Sequence, residues 1–477
     1  MKDIIPTPRR RLVRKKTATT TQPIVGFKKP RNKPTKTSLP PRDVAVKFYA
    51  AWLKNPQRVE PLLEDFHVRN IWSGKDRALF NDLAYGLIRQ HGRLSWLLSR
   101  FSKQKPPTNR FALAAASIGL YHLQFHDRVP DHAAVDSAVN LTKRYASHEL
   151  SAWCNAVLHA AINLRDKQGD LNPRFQETIP RLATHYSHPE WLVERWSRSK
   201  PVNQLEQLLT WNNRRPDVVI RINSQRTSST EALEYFKLRG YDAMASKMDA
   251  NFIHLPRLGD PGKIGLISEG KAVVQDPAQG LAARLLDPKP GEDILDLCAA
   301  PGGKALHMAD LCPQCNIIAT DRSADRLKPV GYSARLLGNS NVQIVDYQSV
   351  LGSSKKYDAI LIDAPCSGTG VLARRVDLRW RLDSADIPRM ASIQMQLLRY
   401  ASDRLKKGGR IVYSTCTLEP EENEMLISEF LTKNSQFSLV EIPEALSSYK
   451  HEELEMLRVE GLEFSSDGAF AVCLKLS

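Results

Sequence analysis

Cys366 and Cys416 stand fifty residues apart, and each follows a short apolar run that gives way to small, turn-forming residues. The first run is Tyr357-Asp-Ala-Ile-Leu-Ile-Asp-Ala-Pro-Cys-Ser-Gly-Thr-Gly370, the second Gly409-Arg-Ile-Val-Tyr-Ser-Thr-Cys-Thr417. β-branched runs that stop in this way read as strands, so both thiols are expected at strand C-termini, the ligand side of an open parallel sheet. Neighbouring strands lie only ~4.8 Å apart, so the thiols can face one substrate if their strands are adjacent. With Asp363 beside them, they suggest covalent methylation of a pyrimidine. Cytosine C5 is a poor nucleophile until a thiolate adds at C6 and makes C5 enamine-like. An acid near N3 stabilises the charge that develops, and a base must then remove the C5 proton so that the thiol can leave. Two cysteines and one carboxylate cover those tasks, and the residues alone leave open which thiol attacks.

A third segment, Ile294-Leu-Asp-Leu-Cys-Ala-Ala-Pro-Gly-Gly-Lys304, reads as a buried strand, a tight loop over Cys298–Gly303, and a helix from Lys304. Such a loop lets backbone approach a ligand with a helix N-terminus aimed at it. It matches neither the dinucleotide nor the triphosphate glycine pattern, which disfavours both ligands. Asn316-Ile-Ile-Ala-Thr320 is a second strand, followed by Asp321, 23 residues after Cys298 and thus where an acid meets ribose hydroxyls. Val342-Gln-Ile-Val345 leads to Asp346, suited to an adenine end. One such acid would pass for a surface carboxylate. Three successive strands each ending in one, with Asp296 counted in the first, make that reading poor.

An isolated cysteine is by default an inert core residue, and Cys154 and Cys473, within helical and strand patterns, are read so. Cys298 lies in the loop, but its apolar strand neighbours favour packing. Cys312 and Cys315 form a single CxxC without a second pair and are read as a surface turn, with no metal.

The 477 residues exceed one typical domain. From about Asp43 to Arg165 apolar residues such as Val44, Phe48, Trp52, Leu83 and Leu87 recur at helical spacing, without strand alternation. Residues 172–270 mix a helix (Pro189–Trp196) with strands such as Val218–Ile222, a small α+β module. From about Ala272 strands alternate with helices, as in a doubly wound sheet. The formal charge is +16, and residues 1–41 hold twelve Lys or Arg against Asp3 alone, a net of +11. This Pro- and Thr-rich tail is expected to be disordered and suited to polyanions. Its prolines count against a transit peptide. No apolar run approaches a membrane span or signal segment, and seven scattered cysteines suit a reducing cytosol.

Asp296-Leu-Cys-Ala-Ala-Pro-Gly-Gly-Lys304, Asp363-Ala-Pro-Cys-Ser-Gly-Thr-Gly370 and Tyr413-Ser-Thr-Cys-Thr-Leu-Glu-Pro-Glu-Glu-Asn423 resemble the RNA cytosine-5 methyltransferases, specifically the RsmB/Sun (Fmu) group acting on bacterial small-subunit ribosomal RNA. Leu120-Tyr-His-Leu and Val129-Pro-Asp-His-Ala-Ala-Val-Asp136 resemble the NusB-like RNA-binding domain of that group. The likeness spans roughly residues 42–477. It implies a NusB-like domain over 42–171, the α+β module over 172–270, and a Rossmann-like methyltransferase domain over 271–477. It also implies that S-adenosyl-L-methionine contacts Cys298, Ala299, Ala300, Pro301, Gly302, Gly303 and Lys304. Asp321 would take the ribose, Asp346 the adenine and Asp363 the methionyl end. Cys416 would be the nucleophile and Cys366 the thiol that helps release product, the reverse of the DNA enzymes. Val376 departs from the family, which often has proline there. The implied partner is 16S ribosomal RNA, free or within a small-subunit assembly intermediate, in the cytoplasm. Transfer RNA or another ribosomal cytosine is the rival substrate. A catalytically silent RNA-binding assembly factor is the rival class, and such a protein has no need of Cys366, Cys416 and Asp363.

Overall fold

The computed structural model describes residues 39–477 except 71, 257 and 452. The basic segment therefore lies outside the described residues save for its last three, of which Pro41 opens the first helix. Seven helices follow: Pro41–Lys54, Val59–Arg69, Gly74–Arg89, His91–Phe101, Arg110–Phe125, Asp131–Tyr145 and His148–Gln168. Side-chain caps start several of them. Ser73 accepts from Asp76 N–H, Asn109 from two amides, and Ser147 from Leu150 N–H, satisfying donors that the first turn leaves free. The stripe foreseen from spacing is buried, with Val44, Phe48, Trp52, Leu83 and Leu87 all at 1% exposure or less. Gly119 sits inside this core because a Cβ there would lie 2.8 Å from Leu158 and 2.9 Å from Ala138. Its absence lets three helices close together.

Three short helices, Thr178–His185, Glu190–Ser197 and Val202–Asn213, lead to a four-stranded antiparallel sheet. Its strands are β1 (Val218–Ile222), β2 (Met244–Ala245), β3 (Phe252–Leu255) and β4 (Ala272–Val274), in the order β2-β3-β1-β4. The helix Ser229–Lys237, opened by a Ser228/Glu231 capping box, packs Phe236 onto Ile220 and Ile253. Ala272–Val274, counted from sequence with the doubly wound region, pairs instead with β1 and completes this small sheet.

The second sheet is built from β5 (Asp293–Asp296), β6 (Asn316–Ala319), β7 (Val342–Ile344), β8 (Tyr357–Asp363), β9 (Leu405–Thr415), β10 (Phe437–Leu439), β11 (Leu457–Glu460) and β12 (Gly468–Leu476). The order is β10-β12-β9-β8-β5-β6-β7, with β11 beside β12. β5 to β9 run parallel, whereas β10, β11 and β12 add an antiparallel edge. Along β8, Ala359 and Leu361 enter one apolar layer while Ile360 and Ile362 enter the other. Both faces are thus covered, as a parallel sheet requires. Strand order reverses between β5 and β8, and the crevice above that switch point is the expected ligand site.

Candidate active site

β8 and β9 are adjacent, paired parallel with Asp363 opposite Ser414, so the two thiol loops leave the sheet side by side. Cys366 Sγ lies 3.3 Å from Cys416 Sγ, within hydrogen-bonding reach for a thiol. Two backbone bonds set this approach. Ala364 N–H donates to Ser414 C=O over 2.9 Å, and Gly370 N–H to Cys416 C=O over 3.0 Å. A Cβ on Gly370 would stand 2.8 Å from that same carbonyl, which restricts the position to glycine. The bond to Cys416 and burial together push the Cys366 thiol well above its usual range, so it keeps its proton.

Asp363 ends β8 next to this pair. Its Oδ2 meets Lys304 Nζ at 2.7 Å, and its Oδ1 accepts from the Ser414 hydroxyl at 3.2 Å. Lys304 is buried and also donates to Gln279 over 2.9 Å. An acid–base pair therefore joins the loop after β5 to the thiol loops.

That loop runs from Cys298 into the helix Gly303–Leu311. Ala299 N–H donates to Thr320 C=O, and Ala300 N–H lies 3.3 Å from Asp321 Oδ2. Asp321 also accepts from Ser323 N–H, and Arg326 bridges from Asp321 to Ala300 C=O. The structure thus brings Cys298–Lys304 and Asp321 together around one crevice. Asp346 lies on its exposed side and caps the helix Tyr347–Gly352 by accepting from Ser349 N–H. Asp296 differs from the other two strand-end acids. It is fully buried, neither oxygen has a hydrogen-bond partner, and burial, with Asp363 nearby, pushes it up to about 8.

The remaining cysteines are all free. Cys154 and Cys473 are core residues, and Cys298 packs at the edge of one apolar layer, its thiol driven well up by burial. Cys312 and Cys315 do lie in a turn, but not a surface one. Both thiols are buried against Ala309 and Ile317, and Cys315 donates to Cys312 C=O over 3.0 Å.

Sequence reasoning missed the layer beneath the thiols. Glu419 and Glu422 are both buried. Glu419 pairs with Arg195 and accepts from Trp196 Nε1 (3.1 Å) and Thr369 Oγ1 (2.9 Å). Glu422 accepts from Ser367 N–H (2.9 Å) and Gln394 Nε2 (2.8 Å). Ser367 and Thr417 hydroxyls, next in sequence to the two cysteines, sit 2.6 Å apart. The available signal was the acidic run Glu419-Pro-Glu-Glu422, which begins three residues after Cys416. Val376, the departure from the family pattern, is fully buried in the core of the N-terminal helices.

Comparison with known proteins converges on one family. Residues 283–475 match the model described as 16S rRNA methyltransferase RsmB/F, residues 39–163 the NusB family, and residues 188–259 an RsmF/B-like ferredoxin-like domain. The chain is 34% identical over 372 residues to ribosomal RNA small subunit methyltransferase B of Erwinia tasmaniensis, covering 77% of this chain and 84% of that protein. The Proteus mirabilis protein of the same name is 32% identical over 442 residues, covering 91% and 98%. Among solved structures, PH0851 superposes with a TM-score of 0.75 at 25% identity, covering 92% of this chain and all of that one. NSun6 from Pyrococcus horikoshii shares the fold at a TM-score of 0.55 and 21% identity, over 60% of this chain and 98% of its own.

Proposed function

Because the chain belongs to the RsmB/Sun family of 16S ribosomal RNA methyltransferases, we propose that it transfers a methyl group from S-adenosylmethionine to C5 of one cytosine in 16S ribosomal RNA, through a covalent bond between Cys416 and C6. The observation that carries this reading is the pair of sulfur atoms 3.3 Å apart at the switch-point crevice, with the Asp363–Lys304 pair beside them. A pure RNA-binding factor has no use for two thiols so placed. Free 16S RNA or an assembling small-subunit particle is the partner, and the cytoplasm, where ribosomes are built, is the place. Among the described residues no helix is long and apolar enough to cross a membrane, and no cluster of His, Cys, Asp or Glu could hold a metal.

The residues present fit S-adenosylmethionine. Asp321 offers carboxylate lone pairs for a ribose diol, and Asp346 stands at the adenine side. The unpaired oxygens of Asp296, beneath the loop, and the Asp363–Lys304 pair suit an amino-acid end carrying both charges. When bound, that molecule supplies an electrophilic methyl group.

The protein residues divide the remaining work. The Cys366 thiol, which holds its proton in the free protein, lies within hydrogen-bonding reach of Cys416 Sγ and can donate to it. Cys416 adds to C6, and the negative charge displaced toward N3 is quenched by a proton that Asp363 delivers and draws from its Lys304 partner. After C5 is methylated its proton must leave to a base. Cys366, next to the attacking sulfur, is the group placed for that step once it has given its own proton to solvent. Bisulfite sequencing of 16S RNA from a strain lacking the protein tests the reading. One cytosine should lose its methyl mark and regain it with the intact chain. An unchanged methylation pattern would overturn the proposal.

A further inference from the structure

The mechanism above uses the two sulfurs but leaves unexplained why two buried groups, Gln394 and Glu422, converge on the peptide units that flank Cys366. Gln394 lies on the helix Asp386–Asp403 and Glu422 ends the short turn Pro420–Glu422, and both are fully buried. The two protons of the Gln394 amide are both used. One bonds Pro365 C=O at 2.9 Å, the other Glu422 Oε2 at 2.8 Å. That same oxygen accepts from Ser367 N–H at 2.9 Å. The residues before and after Cys366 are therefore held by one connected pair of side chains. Tyr413 O–H donates to Glu422 C=O over 2.7 Å, which fixes the backbone of the turn as well.

A buried carboxylate is costly unless its oxygens are bonded, and burial pushes Glu422 up from its usual value. The short side-chain bonds of the pair fall on the peptide units on either side of Cys366. Cys416 is placed by other means, through β9 pairing and the Gly370 N–H bond to its carbonyl. Its links to the pair are indirect: Thr417 Oγ1 stands 3.4 Å from Glu422 Oε1 and 2.6 Å from Ser367 Oγ, and Tyr413 of β9 bonds the Glu422 backbone.

We propose that Gln394 and Glu422 form a clamp that positions Cys366 for the release half of the reaction, and that attack by Cys416 does not depend on it. The inference rests on the covalent reading above. Once Cys416 is bonded to C6, the contact that held the Cys366 proton is lost, and Cys366 gives that proton to solvent. In the release step its thiolate takes the C5 proton. The C–H electron pair becomes the C5–C6 double bond, the C6–S bond breaks, and its pair returns to Cys416. A small displacement of the Cys366 sulfur slows proton removal steeply, whereas bond formation at Cys416 is unaffected.

The experiment uses the full chain with small-subunit RNA and S-adenosylmethionine, and compares Gln394→Ala, Glu422→Ala and Glu422→Gln with the wild type. Cys366→Ala serves as the trapping control. Both alanine variants should transfer methyl in a single turnover within about threefold of wild type, yet turn over roughly tenfold to a hundredfold more slowly. Both should also accumulate an RNA–protein adduct that survives denaturing electrophoresis. Glu422→Gln, which keeps an oxygen for Ser367 N–H, should restore turnover and leave little adduct. Normal turnover in both alanine variants would overturn the clamp. So would loss of S-adenosylmethionine binding in both, because the pair would then support the whole domain and not Cys366. If Cys366→Ala traps no RNA and the wild type transfers no methyl, the functional reading itself has failed, a distinct outcome.

Discussion

The indole N–H of Trp380 donates to the carbonyl of Ile88 over 2.8 Å, and through that bond the loop carrying Cys366 is fastened to the N-terminal helices. His91 meets the same indole edge to face at 5.1 Å, and fully buried Arg379 donates to Ser187 and Asn212 carbonyls in the intervening helices. Val376 inserts into the helical core from the same segment. The segment after β8 and the helical domain are thus one packed unit. Trp380→Ala should cost about 2–4 kcal/mol through lost packing and the orphaned carbonyl, visible as a lower melting temperature. S-adenosylmethionine affinity, measured by calorimetry, should be unchanged.

The two thiols should separate cleanly by mutation. Cys416→Ala should abolish methyl transfer and form no covalent RNA adduct. Cys366→Ala should transfer the methyl group and then accumulate the adduct on a denaturing gel. An adduct with Cys416→Ala instead would exchange the roles of the two residues.

Asp321 joins the loop at Ala300 to the end of β6 and has oxygen lone pairs left for a diol. Asp321→Ala should weaken S-adenosylmethionine binding by roughly 1–3 kcal/mol, the cost of unpaired hydroxyls and a loosened loop. Calorimetry reads this directly, and an unaltered affinity would remove Asp321 from the site.

Asp296 supplies a pH dependence of known sign. Its folded value is raised from 3.8 to about 8, so the neutral acid is the form that the fold accommodates. Stability from this group is complete below the unfolded value and is lost as pH rises through about 8. Between pH 6 and 9 the ligand-free wild type should lose melting temperature, and Asp296→Asn should lose less. Parallel curves for the two proteins would show that Asp296 is not protonated in the fold.

Residues 1–38 carry most of the excess positive charge. Their removal should weaken RNA binding and make the log–log dependence on salt shallower, without changing which cytosine is modified. Filter binding over a salt series measures the slope. An identical slope would exclude the tail from phosphate contact.

The chemical core of this protein was written locally. β-branched runs ending in Asp-Ala-Pro-Cys and Ser-Thr-Cys-Thr announce a strand followed by a turn, and such signals depend on residues a few places apart. So do the loop Cys298–Lys304, the acids Asp321 and Asp363, and the helical stripe through Val44, Phe48 and Trp52. What depends on distant partners was not legible. Gln394 reads as an ordinary polar position on an amphipathic helix until folding carries it to Glu422, 28 residues away, and to Pro365. Ala272–Val274 follows the small module with the same residue types that would open the larger sheet, and only its pairing with β1 decides its membership. Cys312 and Cys315 look exposed because a turn surrounds them, yet the packing of Ala309 and Ile317 turns both thiols inward. Val376 and Trp380 lie in a loop by sequence, and the helical core that receives them begins over three hundred residues earlier. Backbone conformation follows from neighbours in the chain. Burial, and with it the upward shift of the Asp296 carboxyl and the anchoring of the segment around Cys366, follows from neighbours in space, which only close packing selects.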